Sequence, residues 1–407
     1  MIKMVEGGVT VAKGYQAAGA EAGIKYQGRM DMALVYTKEP AVFAGTFTTN
    51  VVQAASVQWD KELLQKGNVV HAVVLNSGIA NACTGEEGKQ LNYVMAEEIA
   101  KQLGVQPDEV LTASTGVIGM QLAKEPLQKG AKQLKEALDD TLEAGENAAR
   151  AIMTTDTVMK QSAVTVEIDG LSFSVGGMSK GSGMIHPNMA TMLSVTTTDV
   201  VIAQDVLQEL VSEIVSDSFN MISVDRDTST NDTYLVLANG ASGVTVEKGT
   251  KIYEAFKEAL TCVSKDLAKQ MAADGEGCTK LIEVQVKNCK SKEHAKILSK
   301  SVITSNLVKT AMYGSDANWG RILCALGYAG VDFNPEIIDV TIVGKDENLL
   351  LVQDGVATDY SEEKATELLG QDKVTIVCDM KEGAADAVAW GCDLTYEYVR
   401  INGDYRS

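Results

Sequence analysis

The sequence is poor in proline and histidine and has no long apolar run. Its 407 residues include only five prolines and three histidines, whereas 45% of the residues are hydrophobic. This composition is untypical of disordered chains, and the length suits two or three domains or one large α/β unit with a second lobe. The histidines His71, His186 and His294 are too few and too scattered to predict a metal site. We therefore expect a globular protein without a metal.

Acidic residues outnumber basic residues in this sequence. The chain has 36 Lys and Arg against 55 Asp and Glu, a formal net charge of −19. Nucleic acids and anionic membranes attract basic surfaces, so neither partner is expected. No stretch has the roughly 18 apolar residues that a membrane-crossing helix needs, and the residues after Met1 lack the apolar core of a secretory signal. The sequence predicts a soluble cytoplasmic protein.

The cysteines lack any pairing pattern. There are seven, an odd number, and no two of them are spaced as C-x-x-C. Such a set does not predict a disulfide framework or a zinc site. We expect reduced, mostly buried thiols.

Hydrophobic periodicity predicts strands and helices throughout the chain. An Asp169-Gly170 pair between two short strands predicts a hairpin, and Gly104 predicts a helix C-cap. We place domain boundaries near 190–200 and near 345. Strands are predicted at 33–37, 41–48, 69–75, 110–113, 162–168, 171–175, 234–238, 281–286, 337–343, 373–379 and 395–401, and helices at 91–103, 128–151, 204–219, 252–272 and 292–313.

The stretch 180–193, KGSGMIHPNMATML, combines glycines and a proline before an Ala-Thr pair. Such a backbone is irregular and could hold one hydroxyl in an unusual place. The alternative is a surface loop that leads into the apolar run from Met192. The letters G-x-S-x-G at 177–181 suggest a serine elbow, but Gly181-Ser182-Gly183 is a poor first helical turn.

Other polar loops also allow two interpretations, one functional and one structural. The small-residue loop 76–85 is either part of a site or an ordinary strand-to-helix connection, and the turn 114–119 either aims donors at an oxyanion or is only a tight turn. Asp225, Asp227 and Asp232 suggest a metal site, but hydrogen-bonded turns are favoured because Arg226 lies among them.

Because the serine elbow is disfavoured, threonine is the remaining candidate for a nucleophile. Its hydroxyl needs a base, and one solution is the threonine's own α-amine, released when the preceding peptide bond is cut. That amine has an ordinary pKa of about 7.7–8, so it can be substantially neutral near pH 7 to 8. Ala190 suits such a cut before Thr191, since a small side chain leaves its carbonyl carbon open to attack.

The stretch 180–193 resembles the cleavage and nucleophile motif of the ornithine acetyltransferase (ArgJ) family. The similarity extends over essentially the whole chain, through the segments 76–82, 114–119, 153–157, 318–321 and 402–407. The resemblance implies an α/β (α+β) fold, a layered αββα sandwich of the self-cleaving N-terminal-nucleophile type, with a smaller C-terminal α/β lobe from about 345. It also implies self-cleavage between Ala190 and Thr191. The fragments 1–190 and 191–407 would form one catalytic unit.

The same resemblance implies the activity, a glutamate N-acetyltransferase of the cyclic arginine pathway. Acetyl would pass from N2-acetyl-L-ornithine to Thr191 and then to L-glutamate in a ping-pong reaction. No cofactor is expected, and acetyl-coenzyme A as a further acetyl donor stays open. Two copies of each fragment would form a heterotetramer. The implied oxyanion hole is Thr115 and Gly116, and the implied substrate-binding residues are Thr154, Lys180, Thr191, Glu276, Asn402 and Ser407.

Some points stay open at this level. Thr155 or Thr157 could replace Thr154, and the family usually ends in threonine where this chain has Ser407, which keeps the hydroxyl. An N-terminal-nucleophile amidohydrolase or aminopeptidase is the alternative enzyme. A non-catalytic amino-acid-binding protein is the alternative from another class.

Overall fold

The computed structural model describes residues 1–186, 192–345 and 347–404. The strands and helices of these residues form a mixed α/β fold with two sheets, as predicted. The predicted residues Ala190, Thr191 and Ser407 lie outside the described part of the chain.

The described strands, in chain order, are β1 Ile2–Val5, β2 Tyr15–Ala20, β3 Met32–Phe47, β4 Val70–Asn76, β5 Val110–Ser114, β6 Lys160–Ile168, β7 Leu171–Lys180, β8 Leu193–Thr198, β9 Ile222–Ser223, β10 Thr233–Ala238, β11 Leu281–Cys289, β12 Asp339–Val343, β13 Asn348–Gln353, β14 Val356–Ala357, β15 Lys373–Asp379 and β16 Ala385–Cys392. The described helices are α1 Ala55–Lys66, α2 Gly85–Leu103, α3 Lys124–Ala137, α4 Leu142–Ala151, α5 Gln204–Ser216, α6 Lys251–Ala273, α7 Lys292–Thr304, α8 Asn306–Tyr313, α9 Trp319–Gly327, α10 Glu362–Leu369 and α11 Tyr396–Asp404.

The first sheet interleaves the two halves of the sequence. Its order is β1-β6-β7-β8-β10-β3-β4-β5, with β2 paired to β3. Strand β7 pairs antiparallel with β8 so that Lys180 lies opposite Leu193, and β8 runs parallel to β10. Strands β8 and β10 therefore lie between β7 and β3. The segment 181–192 joins two neighbouring strands inside this sheet.

The second sheet is built from residues after 221. Its order is β14-β13-β12-β15-β11-β16-β9. The predicted boundary near 345 falls between β12 and β13, which pair with each other in this sheet. The division of the chain at 190 and the lobe from about 345 stay predictions.

Helix α6 joins the two sheets. It packs on β6 and β7 of the first sheet and also contacts β16 of the second. Its apolar positions recur every three or four residues, and Phe256, Leu260, Val263, Leu267 and Met271 are fully buried. Burial of each such side chain contributes about 1.5–3 kcal/mol, so this face fixes the sheets relative to each other.

Two predicted helices are each divided in the structure. The helix predicted at 128–151 is broken at Asp139, whose backbone pairs with Ala17 of β2, and Thr141 caps the second part. The helix predicted at 292–313 is interrupted at Ser305, which ends α7 and whose hydroxyl accepts the N–H of Val308 at the start of α8. The hydrophobic period continues across both breaks, so it did not reveal them.

The strand predicted at 395–401 is wrong, because these residues belong largely to helix α11. The missed strand of this region is β16, at residues 385–392. Thr395 turns the chain between them: its hydroxyl donates to Gly277 O and accepts the N–H of Glu397. The predicted hairpin is confirmed, with Asp169 and Gly170 both at positive φ between β6 and β7.

None of the helices in the described ranges is long and apolar enough to cross a membrane.

Candidate active site

A cavity of about 130 Å³ lies where β7 ends, β8 and β10 begin, and the turn after β5 and helix α11 approach. Its wall includes Gly183–Ile185 and Met192–Leu193, the described residues on both sides of the 187–191 segment. Six of the predicted site residues line it, namely Thr115, Gly116, Thr154, Lys180, Glu276 and Asn402. These six come from widely separated parts of the sequence. The structure therefore brings together every predicted site residue that it describes.

The turn after β5 is held against the loop after β4. The N–H of Thr115 donates to Asn76 O at 3.0 Å, and the N–H of Val117 donates to Gly78 O at 3.1 Å. Gly116 has a φ of +131°, and a Cβ there would lie 2.2 Å from the carbonyl carbon of Gly78. Only glycine fits this position.

Asn231 connects the same two loops to β10. Its side-chain amide donates to Ala80 O at 2.6 Å and to Ser114 O at 2.8 Å. The side chain is 4% exposed, and its amide oxygen accepts from Thr230. Asn231 thus fixes the turn that presents Thr115 to the cavity.

A buried ionic cluster supports the floor of the cavity. The Lys160 ammonium is fully buried, 2.7 Å from Asp156 Oδ1 and 2.6 Å from Asp274 Oδ2. Asp156 also accepts the N–H groups of Thr154 and Gly181, and Asp274 accepts the N–H of Thr157. One cluster therefore positions Thr154 and the chain next to Lys180.

Asp156 is ionised. Burial by itself raises the pKa of its carboxyl, but the charges of Lys180 and Lys160 outweigh this and lower the pKa to about 2. The Lys180 ammonium lies 3.9 Å from Asp156 Oδ2 while its side chain lines the cavity. A cation is therefore held at the cavity wall of an acidic protein.

Glu276 also lines the cavity. Asn402 on α11 donates to Glu276 Oε2 at 2.7 Å, which orients the carboxylate. A Cβ on Gly183 would lie 2.2–2.4 Å from the carboxyl atoms of Glu276. Glycine at 183 therefore makes room for this carboxylate.

The turn at Met184 shows what Asp225 does. Met184 has a φ of +54°, and the Asp225 carboxylate accepts the N–H groups of Met184 at 2.6 Å and Ile185 at 2.9 Å. Asp225 also accepts the N–H of Asp227. Hydrogen-bonded turns, the favoured interpretation of this acidic segment, are what the structure shows. No group of three or more His, Cys, Asp or Glu is arranged to hold a metal among residues 1–186, 192–345 and 347–404.

His186 is unsuited to act as a base near pH 7. Burial, Lys300 and Arg226 lower its pKa to about 4, and Nδ1 lies 3.0 Å from Ser223 Oγ. Its backbone carbonyl accepts from Thr228. These contacts indicate a structural histidine.

Asp232, which the sequence pattern grouped with Asp225 and Asp227, was not predicted as a residue of the active site. It lines the cavity and is 1% exposed, and its Oδ2 has no hydrogen-bond partner among the residues described. Burial raises the pKa of its carboxyl well above the ordinary value, against the opposing effects of Ser229 and Lys180. Like Asn231, it lies in a segment whose local pattern predicts turns, so its burial was the missing signal.

Fold and cavity together define an α/β enzyme with a small site that is lined by both charged and apolar residues. The family model named ArgJ matches residues 16–407. The chain is 48% identical to the arginine biosynthesis bifunctional protein ArgJ 1 of Clostridium acetobutylicum over 97% of this chain and 96% of the relative. It is 44% identical to the arginine biosynthesis bifunctional protein ArgJ of Bacillus subtilis, over 100% of this chain and 98% of the relative. The chain belongs to the ArgJ family, as its resemblance predicted.

A solved structure is also similar. The ornithine acetyltransferase of Mycobacterium tuberculosis, complexed with ornithine, is 41% identical, with a TM-score of 0.44, over 47% of this chain and 100% of that chain.

Proposed function

We propose that this chain is an acyltransferase that moves acetyl from N2-acetyl-L-ornithine to L-glutamate through acetyl-Thr191, after self-cleavage between Ala190 and Thr191. The observation that carries the proposal is the convergence of Thr115, Lys180 and Glu276 on one cavity. Residues 183–185, before the 187–191 segment, and residues 192–193, after it, line that cavity too. The bifunctional arginine-biosynthesis relatives support the same activity.

The charges of the cavity suit these substrates. Both are α-carboxylates, and Lys180 supplies a cation for that group. Glu276, held by Asn402, supplies an anion for the δ-ammonium of ornithine. Thr154, whose N–H is fixed by Asp156, adds a hydroxyl to the wall. Ser407 keeps its predicted substrate contact as part of the proposal, although it lies outside the described residues.

Thr115 and Gly116 act as the oxyanion hole in this proposal. The N–H of Thr115 already donates to Asn76 O, so Thr115 contributes its hydroxyl, and Gly116 contributes its N–H. Loss of one such donor costs about 2.7–4 kcal/mol in the barrier, roughly 100- to 1,000-fold in kcat. We expect that loss for Thr115→Val.

Intact mass spectrometry of the purified protein tests the cleavage. We expect the two masses of residues 1–190 and 191–407, and one uncleaved mass for Thr191→Ala. Thr366→Ala, at an exposed position of α10, is the control and should be cleaved normally. A fully active protein that remains uncleaved contradicts the proposal.

Incubation with N-acetylornithine alone tests the acetyl-enzyme. Acetyl should be found on the first residue of the 191–407 fragment, and ornithine release should stop after one equivalent until glutamate is added. Continued ornithine release without glutamate would instead favour the amidohydrolase alternative. Acetyl-coenzyme A with glutamate, assayed in the same way, decides whether it is a second donor.

The proposed assembly is a heterotetramer of two copies of each fragment. An exposed apolar surface supports a further contact: Tyr396 is 82% and Val399 68% exposed on one face of α11, and Tyr396 contacts Tyr313 of α8. Light scattering of the wild-type protein should give the mass of two complete chains. Tyr396→Ser should lower it if this surface forms the contact.

A further inference from the structure

Asp232 occupies an unusual position for a carboxyl group. It directly precedes β10, and the N–H of the next residue, Thr233, donates to Met192 O at 2.7 Å. Met192 follows the proposed nucleophile in the chain. Asp232 is 1% exposed, lines the catalytic cavity, and has one oxygen without a hydrogen-bond partner among the described residues. A buried polar atom of this kind is costly unless it binds something.

Each half of the proposed reaction involves a proton besides the one on the threonine hydroxyl. Ornithine leaves the first half-reaction and takes up a proton to become an α-ammonium ion. Glutamate enters the second half-reaction as an α-ammonium ion and must lose a proton before its nitrogen can attack. One proton is therefore consumed in the first half-reaction and one is released in the second. A single group that is protonated before the first half-reaction and ionised between the two can supply the first proton and accept the second.

We propose that Asp232 is this proton carrier, an inference that rests on the proposed function. In the first half-reaction the Thr191 oxygen bonds to the acetyl carbon and the bond from that carbon to the ornithine nitrogen breaks. The threonine hydroxyl proton passes through the α-amine to this nitrogen, and the Asp232 O–H donates a second proton to it. In the second half-reaction the Asp232 carboxylate removes a proton from the glutamate ammonium, and the neutral nitrogen bonds to the acetyl carbon. The bond from that carbon to the Thr191 oxygen breaks, and a second proton of the nitrogen returns through the α-amine to that oxygen.

The surroundings of Asp232 suit both protonation states. Burial favours its neutral form at the start of the cycle, because a charged carboxylate is poorly solvated there. Lys180, which lines the same cavity and acts on Asp232 electrostatically, compensates the negative charge of the intermediate state. Glu276 is a further ionisable residue among those that line the cavity.

The variant Asp232→Asn keeps the shape of the side chain but has no carboxyl group to carry the proton. With glutamate as acceptor, we expect kcat to fall about 100-fold or more, the usual contribution of a general acid or base. Hydroxylamine is largely neutral near pH 7 and needs no deprotonation before it attacks. In this variant, the rate at which hydroxylamine reacts with the acetyl-enzyme should therefore fall much less, by under about tenfold. Equal losses with both acceptors would show a structural role and overturn the proposal, as would unchanged glutamate turnover.

The wild-type enzyme provides a second test that holds even if Asp232→Asn does not fold or mature. Enzyme is mixed with N-acetylornithine in weak buffer with a pH indicator, and proton uptake is measured per acetyl-enzyme formed. If Asp232 supplies the proton, uptake should be near zero. Uptake of one proton per acetyl-enzyme overturns the proposal. The amount of acetyl-enzyme, measured by mass in the same sample, separates this result from failure of the proposed function itself.

Discussion

Among single residues, Lys160 has the largest expected effect on stability. Its fully buried ammonium forms ion pairs with two carboxyl groups, so Lys160→Met leaves Asp156 and Asp274 without that cation. Breaking a buried pair on one side costs about 3–5 kcal/mol. Denaturant unfolding should show a loss of this size, whereas Lys66→Met, in an exposed pair with Glu62, should change stability by under about 1 kcal/mol.

The ionised state of Asp156 predicts a loss of stability in acid. Its pKa is lowered from 3.8 to about 2, so its stabilising contribution is complete above pH 3.8 and disappears as the pH falls through 2. The shift corresponds to about 2 kcal/mol. The free energy of unfolding of Asp156→Asn should be lower near neutral pH and should depend less on pH between 4 and 2. An unchanged pH dependence contradicts the assignment.

Gly183 connects the stretch 180–193 to Glu276, the proposed ornithine contact. A side chain there would meet the Glu276 carboxylate at 2.2–2.4 Å and displace it. Because hydrogen bonds to charged groups contribute about 1.5–3 kcal/mol, Gly183→Ala should raise KM for N-acetylornithine roughly 10- to 100-fold. Gly327→Ala is the control, since nothing lies within 4 Å of its added Cβ. Unchanged KM in Gly183→Ala would argue against Glu276 as the ornithine contact.

Sequence reasoning predicted the cavity residues that carry a distinctive motif and missed those that support them. Lys180 and Gly183 stand in a long irregular stretch, which the family motif identifies. Lys160 lies in an ordinary alternating strand, and its role comes from Asp274, a residue distant in sequence. Burial and long-range pairing create that role, and neither is visible in local pattern.

At the scale of elements, α11 shows how an alternating pattern can mislead. Residues 395–401 alternate in polarity as a strand would, yet a helix places Tyr398 and Asn402 one turn apart on one face. Tyr398 donates to Asp225 and Asn402 to Glu276, so both contacts require the helix. The long helix α6 was predicted within a residue or two because its apolar face is continuous. The packing of α6 on two sheets agrees with its local hydrophobic pattern, whereas the helical form of α11 depends on tertiary contacts.

The cap of α7 gives a prediction at the same scale. The Ser291 hydroxyl accepts the N–H of His294 at 3.2 Å and satisfies one donor of the first turn. Ser291→Ala should lower the free energy of unfolding by about 1 kcal/mol, and Ser291→Gly by only a few tenths. Thermal unfolding of both variants measures the difference. Equal losses of unfolding free energy in the two variants would show that the Ser291 cap contributes little to stability.

At the scale of the whole molecule, the first sheet bears on the proposed cleavage. Strands β8 and β10 belong to 191–407, and their neighbours β7 and β3 belong to 1–190. The fragments should therefore elute together in native buffer and separate only in denaturant. Separation in native buffer would contradict their shared sheet.

That interleaved sheet also sets an order of events. Under the proposed cleavage, strands from both halves would pair before the chain is cut, so the protein would fold as one molecule and mature afterwards. A denatured mature enzyme would have to find its other half again, and its refolding would become second order in concentration. The uncut Thr191→Ala chain would still refold at a rate independent of concentration. Cleavage would thus make folding a step that each molecule completes efficiently only once.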